Sequence, residues 1–271
     1  MNREQVFEIT LRKLLEPIGA FLADDSISEI MINGPKEIFI ERGGQLERTP
    51  CAFGDEDSLL RAARNIAQYS GKRLTAETAR LDGRLPDGSR VHMVFAKNSR
   101  KGLCLSIRKF SRRAFSLTGL TELGVLSPEA REYLELIIAL GRNLIVSGGT
   151  GTGKTSLLNA ISAAIPTRER IVVIEDTTEL KLQQPHVLSF EATPANRYGR
   201  GEVTIRDLFH SALRMRPDRI VIGECRGGEA LDLIQALTSG HGGSMSSLHA
   251  DSPVDALNRL ETMALMSGVN L

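Results

Sequence analysis

Long apolar runs are missing from this 271-residue sequence, and their absence sets the first limit on what it can be. No stretch nears the ~18 residues that a bilayer span needs; residues 136–140 and 171–174 are short core runs. The opening residues, Met1-Asn2-Arg3-Glu4-Gln5, are not an apolar segment leading to a small-residue cleavage site, so no secretory leader is expected. Any association with a membrane is expected to pass through a partner. Cysteine is scarce too: Cys51, Cys104 and Cys225 are odd in number, widely spaced and without a Cys-x-x-Cys pair. This argues against a disulfide framework and a Cys-rich zinc site, and fits a reducing cytoplasm. Charge of one sign is also lacking, since 34 Lys and Arg against 33 Asp and Glu leave a formal net charge of +1. No global basic field recruits nucleic acid. Internal repeats and low-complexity tracts are absent. What remains, 41% hydrophobic and 25% charged, is the balance of a soluble globular protein, long enough for one large domain or two ordinary ones.

The chain reads as two textures. Phe7, Leu11, Leu14, Leu15, Ile18 and Leu22 keep helical spacing and predict a leading helix over about residues 4–22. Strands are expected at 27–32 and 37–41 around Asn33-Gly34-Pro35, a helix at 55–69, short strands flanking Pro86-Asp87-Gly88, and a strand at 103–109. This is an α+β domain over residues 1–110. Residues 111–126 are polar and aperiodic and are expected to be a linker. Ser127-Pro128-Glu129 then opens a helix with a cap, a first-turn proline and an acid at the positive end of the dipole. From there to residue 271, apolar runs at 143–146, 171–174, 219–222 and 245–248 alternate with helical patterns at 154–165, 205–215, 229–237 and 253–266. Such alternation implies βαβ units, hence a mostly parallel sheet with helices on its faces.

One motif carries chemistry outright. Gly148-Gly149-Thr150-Gly151-Thr152-Gly153-Lys154-Thr155 fits GxxxxGK[ST], and it lies between an apolar strand and a helix, as a phosphate-binding loop must. Glycines let backbone N–H groups converge on phosphate oxygens, and the helix N-terminus adds partial positive charge. The cradle therefore spans Gly148 to Thr155 with the following Ser156. Lys154 is expected at the β- and γ-phosphates of ATP, and Thr155 on Mg²⁺.

Hydrolysis also needs acids. The run Ile171-Val172-Val173-Ile174 is followed by Glu175-Asp176-Thr177-Thr178-Glu179, and Arg219-Ile220-Val221-Ile222 by Gly223-Glu224. Ligands of open parallel sheets bind beyond the carboxyl ends of strands, so both groups are expected to face the phosphates. Acids also follow strands as ordinary helix caps. Glu224 stands where many phosphate-loop enzymes carry Asp, and it can act on water or on Mg²⁺, directly or through a water molecule. His249 ends the expected strand 245–248 and is placed to sense a γ-phosphate; His241 lies in a Gly-rich turn, and the two together fall short of a four-ligand zinc site. Arg90 and Arg108 sit on neighbouring expected strands of the first domain. Were that domain to cover the nucleotide, an arginine there could offset γ-phosphate charge, although exposed arginines are ordinary.

Taken in order, several segments resemble the type II/IV secretion ATPase superfamily, in particular its Cpa/Tad pilus-assembly branch. They are residues 24–35, Leu85-Pro86-Asp87-Gly88-Ser89-Arg90-Val91, Ser106-Ile107-Arg108-Lys109-Phe110, the phosphate loop, Ile174-Glu175-Asp176-Thr177, residues 212–220, Glu224, and Gly240-His241 with His249-Ala250. The resemblance implies a RecA-like motor that assembles as a homohexamer. Glu179 would then match the glutamate that polarises water, Glu224 an atypical Walker B acid and His249 a histidine beside the γ-phosphate. Arg90 and Arg108 would match arginines that approach the phosphates. It implies ATP and Mg²⁺ as cofactors, and an inner-membrane platform protein as the partner that receives domain motion. The protein would be cytoplasmic and peripheral to that membrane, with no nucleic acid expected. The sequence has no Cys₄ zinc motif, which favours the Cpa/Tad branch. Relatives usually continue past the helix holding Leu260 and Met266, so a shortened chain with an incomplete ring interface is expected. Two other readings stay open: a nucleotide-gated scaffold that does not hydrolyse ATP, and a DNA-processing motor. The latter is disfavoured because no aromatic residues are interleaved with basic ones.

Overall fold

The computed structural model describes residues 3–75, 78–109, 115–195, 199–238 and 242–267. The chain divides into two compact units, Met1–Arg112 and Arg113–Leu271.

The first unit is built on a six-stranded antiparallel sheet ordered β3-β2-β1-β6-β5-β4. Its strands are β1 (Ile27–Asn33), β2 (Ile38–Arg42), β3 (Gln45–Arg48), β4 (Arg80–Arg84), β5 (Arg90–Val94) and β6 (Cys104–Arg108). Alternation sorts the side chains. Ile30, Ile32, Ile38, Ile40, Val91, Met93, Leu105 and Ile107 are buried, while Arg90, His92 and Arg108 on the other face are exposed. The buried face joins one core with Leu11 of helix α1 (Arg3–Leu14), with Leu15 just beyond that helix, and with Leu59, Ala62 and Ile66 of α3 (Glu56–Tyr69). Asp55 caps α3 in a reciprocal box with Ser58. The single leading helix expected over 4–22 is instead interrupted. α1 ends at Leu14, Glu16–Ile18 form a 3₁₀ turn, and α2 (Gly19–Ala23) follows. Pro17 is the cause, because it has no N–H to continue an α-helical ladder.

The second unit holds a five-stranded sheet ordered β7-β11-β10-β8-β9. The strands are β7 (Leu144–Ser147), β8 (Ile171–Glu175), β9 (Val187–Glu191), β10 (Arg219–Ile222) and β11 (Met245–Leu248), and every pairing is parallel. Both faces are covered. Val172, Ile174, Ile220, Ile222 and Leu248 enter one core with α7 (Ile205–Leu213), α8 (Ala230–Thr238) and α9 (Pro253–Leu265). Ile171, Val173, Val221 and Met245 enter the other with α4 (Leu117–Glu122), α5 (Pro128–Ala139) and α6 (Lys154–Ala163). This is the α/β arrangement expected from the alternation of runs. The segment read as a linker, 111–126, contains α4. Ser116 caps this helix, and Leu117 and Leu120, 4% and 5% exposed, pack into the second unit's core. Six residues are too few for a helical period to show. No helix among the described residues is long and apolar enough to cross a membrane.

At the amino-terminal edge of this sheet a charge is enclosed. Arg219, 2% exposed, pairs with Glu169 and donates from Nη2 to the Ile138 carbonyl at 2.8 Å. Gly243, at φ +83°, lies so close that an added β-carbon would meet the guanidinium carbon at 2.7 Å. Gly243→Ala is therefore expected to strain the backbone and dislodge a buried ion pair, lowering stability by about 3 kcal/mol. A urea midpoint unchanged by that substitution would show that the guanidinium is not confined there.

Candidate functional site

Parallel strands end together. The segments that follow β7, β8, β10 and β11 therefore emerge at one edge of the second unit's sheet. Residues 148–153 join β7 to α6. Gly151 and Gly153 adopt φ of +74° and +91°, the left-handed region that glycine enters without a Cβ penalty, and Gly153 is the residue from which α6 starts. The first N–H groups of α6 have no partner within the helix, and the dipole adds positive character there. Inside the loop, Thr152 Oγ1 and Lys154 Nζ both donate to the Gly149 carbonyl, at 2.9 and 2.8 Å. Thr155 and Ser156 occupy the first turn of α6 and are half-buried.

The structure brings one expected acid onto this loop directly. Thr155 Oγ1 donates to Glu179 Oε2 at 3.4 Å, although the two lie 24 residues apart. Glu179 belongs to the segment after β8, which is tied down at several points. Thr178 Oγ1 donates to Glu191 Oε2 at 2.7 Å, and the Lys181 amide donates to Asn159 Oδ1 on α6 at 2.8 Å. Beneath it lies Glu175, 3% exposed, whose Oε1 accepts the amides of Glu179 and Leu180 at 2.9 and 3.0 Å. Burial pushes the Glu175 carboxyl up to about 7 against the pull of those two amides, and repulsion from Glu179 and Glu191 adds to the rise.

Glu224 and His249 form a second group. His249 Nε2 lies 2.8 Å from Glu224 Oε1. Arg226 donates from Nε to Glu224 Oε2 at 2.8 Å and also through Nη2, while its Nη1 lies 3.7 Å from Asp176 Oδ2. Glu224 Oε1 is nonetheless buried without a hydrogen bond of proper geometry, despite the nearby imidazole. A buried carboxylate oxygen short of donors, on the same sheet edge as a threonine hydroxyl, is the oxygen chemistry that a hard divalent cation takes. Thr155 and Glu224 thus fit Mg²⁺, and the glycine loop fits a polyphosphate. Arg226 escaped the sequence reading, although its place two residues after the strand-end acid in Gly223-Glu224-Cys225-Arg226 was the available signal. His241 lies outside the described residues.

Arg90 and Arg108 belong to the first unit. They are directly opposite each other on β5 and β6, with Arg84 of β4 opposite Arg90 and Glu29 of β1 opposite Arg108. Like charges facing each other across strands oppose pairing, so this row of arginines is not favoured by the sheet itself.

Residues 12–269 match the family described as Type II/IV secretion system protein. The chain is 36% identical over 275 residues to the type IV secretion system protein PtlH of Bordetella pertussis, covering 93% of this chain and 80% of that one. It is 34% identical over 294 residues to the type IV secretion system protein VirB11 of Bartonella quintana, covering 95% and 81%. Among solved structures, the pilus retraction motor PilT with bound ADP superposes with a TM-score of 0.64 at 19% identity, over 93% of this chain and 70% of that one, a likeness of fold.

Glu175 links stability to pH. Its carboxyl titrates at about 4.5 when unfolded and about 7 when folded. Between those values the folded chain keeps a proton that the unfolded chain has lost. The stabilisation from this group is therefore complete below pH 4.5 and disappears as pH rises to about 7. The loss is ~3 kcal/mol at most. Urea midpoints taken across this range should fall less in Glu175→Gln than in the wild type; parallel declines would show that Glu175 does not titrate there.

Proposed function

The chain belongs to the type II/IV secretion system protein family, and on that premise we propose that its second unit hydrolyses ATP to power assembly of a pilus or secretion complex. The observation that carries this reading is the Thr155–Glu179 contact, which joins the phosphate loop to an acid from the next strand in sequence. A glycine loop by itself only binds; an acid held beside it gives the bound triphosphate a neighbour that can orient water.

In this reading the loop amides and Lys154 hold the phosphates, and Thr155 with Glu224 holds Mg²⁺. Magnesium, when bound there, would supply positive charge against the developing negative charge of the phosphates. Glu179 accepts a proton from the attacking water. His249, held against Glu224, stands at the γ-phosphate side. In the first unit, the paired Arg90 and Arg108 are the side chains offered to phosphate charge. The protein works as a cytoplasmic homohexamer of the Cpa/Tad pilus-assembly branch and passes ATP-driven domain motion to an inner-membrane platform protein. Relatives named for type IV secretion and the fold likeness to a pilus motor with bound ADP support the motor role. The lack of a Cys₄ motif supports the branch.

Phosphate release measured with Mg²⁺ and ATP tests it. Lys154→Ala should abolish turnover. Glu224→Gln should lower kcat by roughly 100-fold or more while nucleotide still binds. Binding without phosphate release by the wild type would instead identify a nucleotide-gated scaffold, and wild-type turnover by Lys154→Ala would remove the phosphate loop from the reaction.

A further inference from the structure

The proposed reaction uses Glu179 and Glu224 but leaves Glu175, a buried acid at the end of β8, without a task. It is the last residue of β8, 3% exposed, with four apolar residues before it. An acid in such a place is costly unless donors meet it. The donors it has are the amides of Glu179 and Leu180, both directed to Oε1. The neighbouring strand end leaves room for this arrangement. A β-carbon at Gly223 would come within 2.8 Å of Glu175 Cγ and 3.1 Å of Oε1.

The consequence falls on one residue. The chain leaves β8, passes Asp176 and Thr177, is caught at Thr178 by Glu191, and returns so that the next two amides land on Glu175. Leu180, 5% exposed, then drops into the core, and the Lys181 amide reaches Asn159. The Glu179 backbone is thus held from below by Glu175, and its side chain extends to Thr155. Glu175 itself is too enclosed to act on water.

We propose that Glu175 is a positioning residue for Glu179: its carboxyl oxygen gathers the Glu179 and Leu180 amides and so fixes where the Glu179 carboxylate stands against Thr155 and the nucleotide. This rests on the reading of Glu179 as the acid that acts on water. Displacement of a reacting group by about 1 Å can lower a rate by roughly 100-fold, so a single lost anchor is measurable.

The test compares two near-isosteric replacements in the full chain. Glu175→Met fills the same space without an acceptor, and Glu175→Gln keeps an oxygen there. For each, kcat and KM for ATP and the Kd of a fluorescent ATP analogue are measured, together with exchange of the Glu179 and Leu180 amides. Glu175→Met should lower kcat at least about tenfold with analogue Kd unchanged within about twofold, and should speed exchange of those two amides. Glu175→Gln should recover most of the lost kcat and of the protection. Combined with Glu179→Gln, Glu175→Met should add no further loss, because both act through one group. The proposal is overturned if Gln performs no better than Met, if analogue binding weakens as much as kcat falls, or if the two losses multiply. Wild-type kcat in Glu175→Met alongside an inactive Glu179→Gln would overturn the positioning role alone. Wild-type kcat in Glu179→Gln would remove the reading of Glu179, and the positioning role with it.

Discussion

The polarity of five strands is the constraint from which the second unit follows. A parallel sheet cannot be closed by hairpins; each strand must be reached by a crossover, and the crossovers lay helices on both faces. Two apolar cores result, and alternate residues of one strand are committed to different cores: Ile171 and Val173 to one, Val172 and Ile174 to the other. A slip of one residue in β8 would exchange these sets, so the register is firmly specified. That register sets Ile174 beside Ile222 and Leu248 beside Ser147. Glu175, Glu224, His249 and the glycine-rich loop therefore emerge at one level because the cores beneath them admit no other alignment.

The two edges of this sheet treat charge in opposite ways. At the amino-terminal edge, Arg219 is matched by Glu169 and a backbone carbonyl and closed over by Gly243. Its rigidity ties α5, the segment before β8 and the segment before β11 to the start of β10. At the carboxyl-terminal edge the acids outnumber the cations, and most contacts are single hydrogen bonds from threonines, amides or the exposed Arg226. An edge of the first kind resists rearrangement, and one of the second kind can exchange partners when a charged ligand arrives.

Much of this was legible in the residues. The glycine-rich turn between β7 and α6, the parallel core and the strand ends bearing Glu224 and His249 follow from apolar runs and their punctuation. Other features left no such trace. β3 is Gln45–Arg48, exposed at every position, so it carries no alternation; β9 is Val187–Glu191, only partly buried at its apolar positions. α4 is shorter than two helical turns and was read as linker, whereas its two leucines belong to the core. Contacts between distant residues are invisible to any local pattern, which is why the Thr155–Glu179 hydrogen bond and the place of Arg84 opposite Arg90 emerge only in the fold. Arg226 was hidden differently. It is adjacent in sequence to a recognised acid, yet an exposed arginine is ordinary until its guanidinium is seen on the Glu224 carboxylate.

Glu175 and Glu224 show how the same residue type is turned to different ends by its surroundings. Each stands at the mouth of a buried strand, on neighbouring strands one step apart in register. Glu175 is buried, which pushes its carboxyl up to about 7, and its Oε1 accepts two backbone amides and so serves to hold the chain. Glu224 meets a guanidinium, which offsets its charge, and an imidazole, and its buried Oε1 makes no hydrogen bond of proper geometry. Environments that separate two acids in this way also separate their duties. An acid satisfied by amides is suited to fixing geometry, whereas one beside a guanidinium and with an oxygen short of hydrogen bonds is suited to meeting a charged ligand. The division follows from Gly223 lying between them in space: having no side chain, it lets Glu175 fold inward while the chain carries Glu224 outward to the edge.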